Sequence, residues 1–165
     1  MRSRARCVLV VIAGLSLGAC RQADGPLPAP NQVVQEELVD VTRDLQNVAA
    51  SSDPQAPQDF FDDLQKYAQR PSARPAVNEL SRRTASVIAG VNLTEQDAQR
   101  LAHTLWLSVA ARELSERQIE ALQNDLEALL MSVGVTEENA RQVAAQAGDV
   151  QGVVTNRPRR WYELF

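Results

Sequence analysis

Three segments of this chain open in the same way at a fixed interval: Leu93-Thr94-Glu95, Leu114-Ser115-Glu116 and Val135-Thr136-Glu137 begin 21 residues apart. The apolar positions behind them match as well, since Ala98, Ile119 and Ala140 align, and so do Leu101, Leu122 and Val143. Each unit reads as a helix start. A Thr or Ser N-cap accepts a hydrogen bond from the backbone of the first turn, and Asp97, Gln118 or Asn139 can reach back from the third helical position. The residue before each cap, Leu93, Leu114 or Val135, can staple onto Ala98, Ile119 or Ala140. The spacing predicts helices over 95–112, 116–133 and 137–147, with Gly134 and Gly148 closing the last two. Because 21 residues are also three heptads, 95–133 could instead be one uninterrupted helix. Leu114 favours the break: in a continuous helix it would sit opposite Leu101 and Ile119, whereas a break gives it a partner.

The first half of the body also speaks helix. Val34, Leu38, Val41, Leu45 and Val48 alternate at spacings of four and three, which lays one apolar stripe along a helix over 32–50. Two prolines mark residues 51–58 as a loop. Asp59 can cap a short second helix bearing Phe60, Phe61, Leu64 and Tyr67, with Pro71 and Pro75 at its end. Pro75 suits the first turn of a third helix that runs to Gly90 with Val77, Leu80, Thr84, Val87 and Ile88 on one side. In the fourth helix, Leu105, Trp106, Leu107, Val109, Ala110 and Ala111 leave almost no polar face, which places it at the centre of a bundle or against a partner. The expected fold is all-α, a single bundle of five to six helices over residues 32–152.

The start of the chain is of a different kind. Arg2, Arg4 and Arg6 precede an apolar run from Cys7 to Leu17 that is too short, and too interrupted by Gly14 and Ser16, to span a membrane stably. Directly after it stand Leu17, Gly18, Ala19 and Cys20. This junction resembles the bacterial lipoprotein signal, and the resemblance implies that Leu17, Gly18 and Ala19 are read by the lipoprotein signal peptidase. It also implies that residues 1–19 are removed and that Cys20 carries a diacylglycerol and an N-acyl chain, a covalent lipid rather than a cofactor. Arg21 stands where the enterobacterial inner-membrane retention rule wants Asp, so the same resemblance points to the inner leaflet of the outer membrane. Gly25, Pro26, Pro28 and Pro30 make 20–31 the lipidated cysteine and a semi-extended tether, about 30 Å long at ~3.1 Å per residue.

Charge and residue types narrow the chemistry. Of 17 basic residues three leave with 1–19, so 14 remain against 21 acidic ones, a formal charge of −7 that repels nucleic acid rather than recruiting it. Cys7 leaves with the signal and Cys20 carries lipid, so the body has no cysteine for a disulfide or thiolate site. One histidine, His103, cannot supply a zinc site, and no Gly-x-Gly-x-x-Gly or phosphate loop is present. The acid pairs Glu36/Glu37, Asp62/Asp63 and Glu137/Glu138 are read as lying in or near first helical turns, where negative charge suits the helix dipole. No metal, no small-molecule substrate and no enzymatic activity are expected.

Residues 153–165 form a basic-aromatic tail with Arg157, Arg159, Arg160, Trp161, Tyr162, Leu164 and Phe165. Arginines beside amphipathic aromatics suit an anionic lipid surface or a partner groove, and a free carboxylate after Leu164-Phe165 suits capture by strand addition. Folding of Trp161, Leu164 and Phe165 back onto the bundle is the other reading. Finally, Leu114-Ser115-Glu116-Arg117-Gln118 and Leu93-Thr94-Glu95-Gln96-Asp97 are similar to the Leu-Thr-x-x-Gln motif of Spy/CpxP-type periplasmic helical proteins, a resemblance that implies an ATP-independent chaperone or an envelope-stress sensor. The lipoprotein resemblance, taken with a helical body that carries no catalytic constellation, leads to the expectation of a membrane-anchored envelope module that binds another envelope protein as a non-enzymatic accessory or assembly factor.

Overall fold

The computed structural model describes residues 27, 32–68, 71–111 and 114–154. Among the described residues six α-helices follow one another: α1 (Gln32–Ala50), α2 (Ala56–Lys66), α3 (Arg74–Ile88), α4 (Glu95–Ala110), α5 (Glu116–Ser132) and α6 (Glu137–Val154). A short 3₁₀ turn, Pro71–Ala73, leads into α3. The chain is an all-α bundle, as the apolar periodicity requires.

The helices close into a ring. α1 packs on α2 and α4, α2 on α3, and α3 on α6, while α6 lies against both α4 and α5. α4 touches α1, α2, α5 and α6, which explains why its second half is apolar nearly all round: Leu105, Leu107, Ser108 and Val109 are all buried. α5 sits at the edge, held by α6 and α4. Among the described residues the core is aliphatic with one fully buried large aromatic, Phe60, and Phe61, Tyr67 and Trp106 packed against it; with no cysteine in it the bundle rests on packing. Each fully buried Leu, Ile or Phe contributes roughly 1.5–3 kcal/mol by leaving water.

The repeat is the scaffold of the C-terminal half. Leu101, Leu122 and Val143 are completely buried, as are the next turn, Leu105, Leu126 and Ala147, and the one after, Val109, Leu130 and Gln151. Two of the three expected caps are seen to form. Thr94 accepts from the Asp97 amide, and Ser115 and Gln118 make a reciprocal capping box, with Ser115 N donating to Gln118 Oε1 at 3.0 Å. Residues 95–133 are therefore two helices, and Leu114 between them is buried. Asp97 differs from a full box: its carboxylate accepts from the Thr94 hydroxyl at 2.6 Å.

Where helices end, the structure corrects several expectations. α6 does not stop at residue 147 but continues to Val154, past the expected edge of the bundle at 152. Gly148 is a packing residue rather than a terminator: the Gln123 side chain lies across it, donating from Nε2 to the Ala144 carbonyl at 3.3 Å, and a Cβ at 148 would run into that amide. α2 starts at Ala56, inside the expected 51–58 loop, with Pro57 in its first turn and Gln55 rather than Asp59 at the N-cap. α4 ends at Ala110, two residues early, where the buried Gln151 amide of α6 meets its final carbonyls. Gly134 closes α5 as expected, at φ +101° with Gly134 N donating to Met131 O and Val135 N to Leu130 O.

Candidate functional site

Leu17, Gly18, Ala19 and Cys20, and the tail residues Arg157, Arg159, Arg160, Trp161, Tyr162 and Phe165, lie outside the described residues. Within them, two places bring polar chemistry together.

The first is a groove of about 440 Å³ between α4 and α5. α4 contributes Arg100, His103 and Thr104, and α5 contributes Asp125, Ala128, Leu129 and Ser132. Helical spacing explains the wall: 100, 103 and 104 fall three and four apart on one face of α4, opposite the buried face of Leu101 and Leu105. His103 is half-buried and stacks on Trp106 with ring centroids 6.1 Å apart and planes 17° from parallel. Thr104 spends its hydroxyl on the Arg100 carbonyl at 2.9 Å. One wall carries the Arg100 guanidinium and the His103 imidazole, and the other carries the Asp125 carboxylate over an apolar floor. Such a groove can hold a polar segment of either sign. It places His103 and Asp125 in the lining of one groove, an arrangement that sequence spacing could not foresee because they lie 22 positions apart on different helices. Among the described residues, no three His, Cys, Asp or Glu side chains are grouped to hold a metal ion.

The second place is at the contact of α1 with α2, and it centres on Asp44. This aspartate is only 8% exposed, and its buried Oδ2 receives no hydrogen bond. Burial pushes the Asp44 carboxyl up to about 6, and the carboxylates of Asp63 and Asp59 on α2 push in the same direction against the weaker pull of Arg43. Asp63 lies within hydrogen-bonding reach of Asp44 and is itself ion-paired with Lys66, the only lysine of the chain. Asp44 escaped the sequence reading, although a signal was present: it stands three residues after Val41 and four before Val48, on the apolar stripe itself.

The acid pairs need a correction. Because α2 begins at Ala56, Asp62 and Asp63 lie in its second half, where the helix dipole disfavours negative charge; Lys66 and the Gln58 amide, 3.0 Å from Asp62, offset it. Glu36 and Glu37 also fall beyond the first turn of α1. Only Glu137 and Glu138 occupy a first turn, paired with Arg141 and Gln142 respectively.

A third polar feature is structural. Gln151 of α6 is completely buried, and its Nε2 donates to the carbonyls of Leu107 and Ser108 at 2.9 Å and of Ala111 at 3.1 Å. These carbonyls lie at the end of α4, where the Leu107 oxygen also accepts from the amide of the C-cap residue Ala111 at 3.3 Å. No protein-family model, curated protein sequence or solved structure matches this chain.

Proposed function

We propose that the protein is a lipid-anchored, non-enzymatic interaction module of the bacterial cell envelope. In this reading residues 1–19 direct export, Cys20 carries the acyl chains, the Pro-rich tether spaces the bundle from the inner leaflet of the outer membrane, and the bundle with its tail binds another envelope protein. The observation that carries it is Leu17-Gly18-Ala19-Cys20 placed directly after a basic start and a short apolar run.

Two features of the body agree with this. None of the described helices is long and apolar enough to cross a membrane, so an anchor at Cys20 would add something they do not supply. The bundle also spends its apolar residues on its own core: the large apolar side chains most exposed among the described residues are Val39, Met131 and Val153, on three different helices. A module with a polar surface binds through chosen contacts, and Arg157, Arg159, Arg160, Trp161, Tyr162 and Phe165 are the ones we assign to a partner or to anionic lipid. The Spy-like chaperone reading calls for a concave apolar face, which these scattered side chains do not make.

The test is in-cell cross-linking of the lipidated protein, with mass spectrometry of captured species, against a version lacking residues 155–165. One stoichiometric envelope partner, lost on truncation, is expected. Capture of a broad set of unfolded envelope proteins, unaffected by truncation, would replace this reading with the chaperone.

A further inference from the structure

The α1–α2 contact buries a carboxyl, that of Asp44, with which no cation among the described residues is ion-paired. Asp44 is more than nine-tenths buried, its Oδ2 has no donor, and the groups facing it from α2 are Asp63, which is ion-paired with the exposed Lys66, and Asp59. On its own helix the nearest cation is Arg43, which pairs with Asp40, on the exposed side. The charged groups of the other helices packed on α1 are engaged elsewhere. On α3, Glu79 binds Arg82 and Arg83, Arg83 reaches Gln142 of α6, and Arg74 is exposed. On α4, Glu95 and Asp97 belong to the first turn, while Arg100 and His103 line the groove against α5. Two carboxyls within hydrogen-bonding reach can share one proton, and without it they repel at low dielectric.

The helix that faces this pair is poorly supported by its own residues. α2 has 11 residues, its N-cap Gln55 makes no side-chain capping bond, and helices of that length are marginal on their own in water. It stays in place by seating Phe60 and Leu64 in the core, both of them fully buried. We propose that the α1–α2 contact is a proton-operated latch, in which a proton held between the Asp44 and Asp63 carboxyls seats α2 and its loss loosens that helix from the bundle. The proton comes from solvent and returns to it. Opening uncovers Phe60, Leu64 and the side of α1 that they cover, so apolar surface becomes available on the neutral side of the transition and is withdrawn on the acidic side. The latch goes beyond the anchoring and partner-binding reading and does not depend on it.

Hydrogen–deuterium exchange of the full lipidated chain in mild detergent tests it, after correction for the intrinsic exchange rate. If Asp44 returns to its ordinary carboxyl range when α2 lifts, the opening constant of residues 56–66 rises roughly tenfold between about pH 5 and about pH 7.5. α5 and α6 should show no such change, and Asp44→Asn, isosteric with the protonated acid, should hold α2 at its acidic protection across the range. Asp63→Asn leaves Asp44 in place but offers it an amide donor, and should move the midpoint to lower pH. Equal protection of α2 at both pH values, an unchanged pH dependence in Asp44→Asn, an unmoved midpoint in Asp63→Asn, or loosening of all six helices together would each overturn the latch.

Discussion

Gln151 shows how one side chain can settle a boundary that local sequence leaves open. It occupies the repeat position filled by Val109 and Leu130 in the two preceding units, so a polar residue stands where the pattern asks for an apolar one. Its amide answers the carbonyls at the end of α4, and that is why α4 can stop at Ala110 with neither glycine nor proline there. Gln151→Leu keeps the volume but removes the donor, and should cost about 1–3 kcal/mol in urea unfolding; wild-type stability in that variant would show that the bonds contribute nothing net. At Asp44 the native state holds its proton more tightly than the unfolded chain, with a carboxyl at about 6 against 3.8. Stability is therefore greatest in acid on this account, falls as pH rises from about 4 through about 6, and stays at the lower level above. Asp44→Asn should remove that decline and raise stability at neutral pH by on the order of 1–3 kcal/mol, measured by urea unfolding at several pH values. Both residues were legible only as exceptions to a pattern, since nothing in the linear sequence says whether a polar residue on an apolar stripe is buried or turned outward.

Among the elements, α1 and α5 end in the same motif with different residues. In each, the first residue beyond the cap adopts a left-handed conformation and two amides serve the last-turn carbonyls: Ser51 N to Val48 O and Ser52 N to Asn47 O in α1, as Gly134 and Val135 do in α5. Ser51, at φ 49°, carries a Cβ where glycine would have none. Ser51→Gly should thus stabilise the bundle by about 0.5–1 kcal/mol in thermal or urea unfolding, less whatever the unfolded chain gains in freedom; a destabilised variant would mean that the serine side chain holds the turn. The helices themselves were readable from apolar spacing, and the starts of α4, α5 and α6 from their capping residues. The start of α2 and the end of α6 were not. Proline at a first turn and proline in a loop look alike in one dimension, and Gly148 reads as a stop until α5 lays Gln123 across it.

For the whole molecule, the proposal of a lipid anchor makes a direct prediction. Cys20→Ala should leave a protein that no longer partitions with membrane, because the acyl chains expected on that residue are more than enough for stable anchoring; unchanged partitioning of the variant would remove the anchor. The sequence by itself determined that the body is helical, where most helices begin, and which faces turn inward, because apolar period and capping chemistry act over one or two turns. Tertiary structure decided the rest: that α4 stops under Gln151, that His103 shares a groove with Asp125, and that Asp44 is shut against Asp63. Each of those pairs joins residues on different helices, and a buried polar group acquires its chemistry from neighbours that only the packed bundle brings within reach.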